Sequence, residues 1–265
     1  MTDTIAVWDR IAAFWDDHIR EGNDFQEKLI MPTTDRLLGD VAGQRIIDAC
    51  CGNGNYARRL AARGAKVTAF DGSGVFIDHA RARTGTGTDA EIKYHVIDAT
   101  DEAALMTLGG GNDDGKEQSP FDAIVCSMAM MDLVTIDPLL RAARRLLCLG
   151  GRLVFSVPHP AFNSPRSRSV AEMVSENGRL RQRFAIATDS YLAPYEDLSQ
   201  GIVNQPEPHP MFHRPIGVLL KSCFDAGFIV DAFEEPAFPE GTSSKSVFSW
   251  AKRPDLPPAV VVRLR

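Results

Sequence analysis

Residues 46–73 read IIDACCGNGNYARRLAARGAKVTAFDGS, an order that restricts the chain to very few folds. A short apolar run ends in Asp48, and a turn containing Gly52 and Gly54 follows. Residues 55–63 then bring Tyr56, Leu60 and Ala61 to one helical side, and a second apolar run ends in Asp71. Strand, glycine turn, helix and strand in this order make a crossover between parallel strands. Glycines at the turn let a ligand approach the backbone without a Cβ in the way, and an acid about 20 residues further on suits two ribose hydroxyls. Residues 52–57 also satisfy the dinucleotide pattern GxGxxA. Charge separates the two kinds of ligand. A dinucleotide brings a pyrophosphate to this turn, where the Asp48 carboxylate repels it. A ligand carrying an ammonium and a sulfonium is attracted by the same acid.

The pattern continues on both sides. The runs 45–50, 66–70, 92–97, 121–127 and 151–157 each have the length of a buried strand and alternate with amphipathic stretches. That is an α/β organisation for residues 41–157. Asp137 and Pro138 predict a helix start, and LGGGNDDGKEQSP (108–120) predicts an exposed loop. Upstream, Ile5, Trp8, Ile11, Ala12, Trp15 and Ile19 fall at helical spacing, which predicts a helical cap within residues 1–40. Residues 158–214 lose the rhythm and read as an insertion. A helix closed by Gly227 then precedes two strands, 228–236 and 243–253, joined by a loop too short for a crossover helix and so paired antiparallel. These close the core over 215–253, and the tail 254–265 fits no element.

At this point the chain resembles the class I S-adenosylmethionine-dependent methyltransferases. Their first motif, D-x-G-x-G-x-G, stands here as Asp48-Ala49-Cys50-Cys51-Gly52-Asn53-Gly54, with Cys50 in place of the first glycine. AFDGS (69–73) resembles the second motif, VIDAT (96–100) the third and FDAIVCSMAMMDL (121–133) the fourth. The resemblance implies a Rossmann-like sheet, seven-stranded and mostly parallel with an antiparallel last strand. It also implies S-adenosyl-L-methionine as methyl donor and S-adenosyl-L-homocysteine as product. Asp48, Cys50, Gly52 and Gly54 would form the donor turn, Asp71 and Gly72 the ribose site, and Asp98 and Ala99 the adenine site. By its position two residues after Gly74, Phe76 is a candidate either to stack on adenine or to pack in the core. Ser127 and Met128 would lie beside the methionine moiety.

The acceptor side carries weaker signals. His159 follows the fifth strand at the carboxyl edge where open α/β sheets bind ligands. His213 and His209 flank the return to the last helix. His159 and His213 are the candidate bases, and Trp15, Tyr191 and Arg168 the candidate acceptor contacts. Five arginines against two glutamates between 160 and 183 suit a carboxylate or phosphate on the acceptor. RLRQRFAIATDSY (179–191) predicts a hairpin arm over the pocket. No metal site is expected, because Pro210 disfavours helical spacing between His209 and His213 and no cysteines form a CxxC pair. A formal charge of -6 gives no general field for a nucleic-acid backbone. With no long apolar run and no signal-peptide pattern, the chain is expected to be cytoplasmic. The expected function is methylation of oxygen or nitrogen on a small molecule. The alternatives are a tRNA or other RNA methyltransferase, a non-catalytic S-adenosylmethionine-binding module and an NAD-dependent oxidoreductase.

Overall fold

A computed structural model describes residues 3–84, 92–110, 120–244 and 246–265. In chain order the elements are α1 (Thr4–Ile19), a π-helical turn (Gln26–Ile30), α2 (Met31–Leu38), β1 (Arg45–Ala49), α3 (Asn55–Ala62), β2 (Lys66–Asp71), α4 (Gly74–Thr84) and β3 (Ile92–Val96). There follow α5 (Glu102–Met106), β4 (Phe121–Ser127), α6 (Asp137–Leu146), β5 (Leu147–Pro158), β6 (Arg168–Glu176), β7 (Arg179–Ala187), β8 (Tyr195–Ser199) and β9 (His209–His213). The chain ends with α7 (Ile216–Asp225), β10 (Val230–Glu234) and β11 (Ala259–Leu264). Most of the expected loop, residues 111–119, lies outside the described residues.

Seven strands form one sheet in the order β10-β11-β5-β4-β1-β2-β3. β1 to β5 run parallel, while β11 is antiparallel to both β5 and β10. Successive side chains on a strand point to opposite faces, and adjacent residues divide accordingly. Ile47, Ile124 and Leu153 pack with α5, α6 and α7 through Leu105, Leu139, Leu140 and Leu219. Ile46, Val125 and Val154 pack on the other face with α2 and α3 through Leu37, Leu38 and Leu60. Near-continuous apolar strands are what a sheet covered on both faces requires. The chain leaves β1 toward β2 on one side and later returns to β4 on the other, so the order reverses at β1. Beyond the carboxyl ends of β1 and β4 this reversal opens a crevice.

Two expectations fail here. The described residues of 243–253 run through turns into a 3-10 helix (Trp250–Lys252) and not through a strand. The partner of β10 is the tail itself: β11 enters between β5 and β10, and Ala259, Val260, Val261, Val262 and Leu264 are fully buried. Each of these valine and leucine side chains contributes about 1.5–3 kcal/mol on burial, so the last residues are core. The second failure is the arm. β6 and β7 do form a hairpin, turned by Asn177 and Gly178, both at positive φ as a two-residue hairpin turn prefers. None of its residues borders the cavity described below.

Candidate active site

The carboxyl ends of β1, β2 and β4 meet at a cavity of about 700 Å³. β1 delivers Asp48, 1% exposed, and the chain turns at once. Cys50 (φ 54°), Gly52 and Gly54 take left-handed conformations within five residues, so the turn keeps its shape although Cys50 replaces the motif's first glycine. At Gly54 a Cβ would stand 2.5 Å from the Tyr94 hydroxyl, so only glycine fits. Gly54 supports the turn from behind and does not line the cavity. At the end of β2, Asp71 accepts from the Gly52 N–H through Oδ2 and from the Ser73 N–H through Oδ1, both at 2.9 Å. The two strand ends are thereby tied together, and each carboxylate oxygen keeps acceptor capacity.

Two acids share this cradle, Asp48 buried and Asp71 half-buried. Burial pushes the Asp48 carboxyl up to about 8, and the neighbouring Asp71 adds to the shift. Asp48 Oδ2 is buried without a hydrogen-bond partner. Asp71 is also raised by burial, against the pull of its backbone donors. A buried orphan acceptor carries a desolvation cost, and a cationic ligand group between the acids removes it. Asp98 caps its own turn by accepting from the Thr100 N–H at 2.8 Å. Beyond β4, Met128 is held at φ 54° by donating to the Ser156 carbonyl and hydroxyl. Asp48, Cys50, Gly52, Asp71, Gly72, Phe76, Asp98, Ala99, Ser127 and Met128 all line the cavity.

Helix α1 lies across this cradle. Asp9 accepts from the Ser73 hydroxyl at 2.6 Å, and the Trp8 ring lies 6.1 Å from that of Phe76. Two turns further, Asp16 takes Arg83 Nε at 2.5 Å and Nη2 at 2.8 Å, and Asn53 Nδ2 at 2.9 Å. Burial acts to raise the Asp16 carboxyl, but its bonds from Arg83 and Asn53 outweigh that and hold it below the usual range. Because Asn53 belongs to the cofactor turn, this network fastens the cap to it.

The histidines divide. His159 Nδ1 accepts from the Ala161 N–H at 3.1 Å, so its proton sits on Nε2, 2.8 Å from Glu235 Oε1. The ring is 2% exposed and outside the cavity. His213 Nε2 bonds the Tyr191 carbonyl at 2.8 Å and its ring stacks on Tyr195. The Tyr191 hydroxyl accepts from the Ile216 N–H. His213 and Tyr191 thus brace the entry to α7 and do not face the cavity. Arg168 is 70% exposed beside Asp189. The base role expected of His159 and His213 and the acceptor contacts expected of Tyr191 and Arg168 are therefore corrected: their polar atoms serve local structure or solvent. Trp15 does line the cavity.

His209 is the histidine at the cavity wall, packed 4.6 Å from Trp8. Gln205 Oε1 accepts from Trp15 Nε1 and the Gly201 N–H, which turns its amide nitrogen toward His209 Nδ1 at 3.0 Å. Nδ1 is therefore an acceptor, and Nε2 carries the proton toward Asp132 Oδ1 at 3.7 Å. Asp132 went unnoticed in the sequence. Its signal was its place, directly after β4 on the ligand-binding edge.

The comparisons with known proteins agree with this geometry. Residues 23–190 match the family described as "Methyltransferase domain". This chain belongs to the S-adenosylmethionine-dependent methyltransferases. Its similarity to a methyltransferase of this kind from Mesorhizobium loti is 26% identity over 88% of this chain and 96% of that one, with a TM-score of 0.65. It is 35% identical over 119 residues to a ubiquinone biosynthesis O-methyltransferase of Xanthomonas oryzae, and that stretch spans 44% of either chain. A trans-aconitate 2-methyltransferase of Mycolicibacterium gilvum is 31% identical over 78% of this chain and 66% of its own length. The Xanthomonas match thus reaches under half the length of that relative. No helix of this methyltransferase among the described residues is long and apolar enough to cross a membrane, and no three His, Cys, Asp or Glu side chains among them gather to hold a metal ion.

Proposed function

We propose that the protein transfers a methyl group from S-adenosylmethionine to oxygen or nitrogen of a small molecule. The observation that carries this reading is the pair of strand-end acids, buried Asp48 and half-buried Asp71, opening onto the same cavity that Trp8, Trp15 and His209 wall off. The donor supplies an electrophilic methyl on a sulfonium. Asp71 would hold the ribose hydroxyls, Asp98 and the Ala99 backbone the adenine edge, and Phe76 its face. Asp48 would draw the ammonium, while Ser127 and Met128 flank the methionine chain. Helix α1 and residues 199–211 exclude water and align the acceptor, and in a displacement reaction such alignment supplies much of the acceleration.

Calorimetry with S-adenosylmethionine, S-adenosylhomocysteine and NAD tests this. The reading expects both adenosyl ligands to bind and NAD to bind far more weakly. Tighter binding of NAD would contradict it.

A further inference from the structure

The cavity wall has an uneven chemistry that bears on its acceptor. Asp3, Asp48, Asp71, Asp98 and Asp132 line it, and among the described residues no lysine or arginine does. Its one histidine is held neutral, because burial lowers His209 to about 4. None of the insertion's arginines lines the cavity, and Arg166 pairs with Asp197 and the Tyr195 ring, Arg183 with Glu176. Asp132 Oδ1 is buried with no hydrogen-bond partner, and the His209 Nε2–H stands 3.7 Å from it, too far to satisfy it. An acceptor atom so placed costs free energy until a donor reaches it. An anion entering here would lose its water and find no cation on the wall.

Resting on the methyl-transfer reading, we infer that the acceptor is an uncharged molecule presenting an O–H or N–H to Asp132, and that carboxylates and phosphates are turned away. Asp132 Oδ1 takes the proton from that O–H or N–H as the oxygen or nitrogen lone pair bonds to the methyl carbon. The electron pair of the broken C–S bond stays on sulfur, leaving S-adenosylhomocysteine, and the proton passes from Asp132 to solvent. His209 is the positioning residue, since its ring, fixed by Gln205 and Trp8, stands beside Asp132 Oδ1 with Nε2 3.7 Å away. Asp71 is the other charged group acting on Asp132. Burial, with Asp71 adding to it, pushes the Asp132 carboxyl well above the usual carboxylate range, and a carboxyl so raised is a stronger base than an exposed one.

The test needs no knowledge of the natural acceptor. 4-Nitrobenzyl alcohol and 4-nitrobenzoate share a ring and differ in charge, and the nitro group quenches tryptophan, so Trp8 and Trp15 report their binding. Both are titrated near pH 7.5 with and without sinefungin. A failure of sinefungin to bind then counts against the methyl-transfer reading, while the preference between the rings still decides this inference. The alcohol should bind at least about tenfold more tightly than the benzoate. Met131→Lys, which adds a cation to the wall, and Asp132→Asn, which removes an acid, should each shrink that ratio to about threefold or less. A far-ultraviolet circular dichroism spectrum like that of the wild type and a cooperative unfolding transition verify that both variants fold. Equal or tighter binding of the benzoate by the wild type, no binding of the alcohol, or a ratio unmoved by both substitutions would overturn the inference.

Discussion

The two halves of the cavity are built from different material. The donor half is backbone: three strand ends, a turn of left-handed residues and N–H groups that fix Asp71 and Asp98. The acceptor half is side chains: Trp15 packed edge to face on Trp8 and His209, which tilt against each other, with Met131 and Met211 beside them. A backbone cradle is specified by the fold and changes little without breaking the sheet. A side-chain wall is adaptable, and thioethers in particular refit around different shapes. The difference shows why a conserved kind of chemistry sits beside an acceptor site free to vary.

Substitutions on either side of that divide should therefore separate donor binding from turnover. Asp71→Ala removes the carboxylate proposed to hold the ribose and the tie to Gly52, and should weaken S-adenosylmethionine by about 10- to 150-fold in calorimetry. Asp132→Asn should lower kcat by about 10²-fold on any uncharged acceptor that turns over, with donor affinity within about twofold. Parallel kinetics of His159→Ala and His213→Ala sharpen the contrast. Both should lose stability through broken local bonds, and neither should show that selective loss of kcat.

The donor half was legible because each of its acids closes an apolar run. A strand end, an acid and a glycine turn leave a local trace, as at Asp48, Asp71 and Asp98. The acceptor half left little trace, since what decides a histidine's role is which atoms its two nitrogens meet. His159 and His213 differ from His209 in partners drawn from Ala161, Glu235 and Tyr191, and no spacing announces those. β11 was missed for a related reason. AVVVRL has the β-branched run of a buried strand, but it follows a proline-rich stretch and enters the sheet between β5 and β10, a placement set by three-dimensional neighbours. The arginines of 160–183 suggested an anionic acceptor; the fold keeps Arg168 and its hairpin off the cavity.

The join between the halves is the Asp16 network. Arg83→Met leaves Asp16 buried without its main partner and should destabilise the fold by on the order of 3 kcal/mol, read by denaturant unfolding. It should also increase exchange at α1. A smaller effect concerns pH. Asp48 is largely protonated below its raised value of about 8, and a cationic donor binds the ionised form. Arg58 lowers Asp48, whereas Asp71 raises it, and Cys51 beside them is itself pushed up by burial. Binding should release a proton, so affinity should rise from about pH 6 and level off above about pH 8. Calorimetry in buffers of different ionisation enthalpy counts that proton. Arg168→Ala, at the bottom of the scale, should shift stability by less than about 0.5 kcal/mol and donor affinity not at all.

Hydrogen exchange with and without S-adenosylhomocysteine addresses the central claim most directly, because it reports every region at once. The cavity assigned here predicts slowed exchange at 50–54, 71–76 and 98–100, extending to α1 and residues 199–211, with the β6–β7 hairpin unchanged. Protection confined to the hairpin, or no change at the turn between β1 and α3, would contradict it.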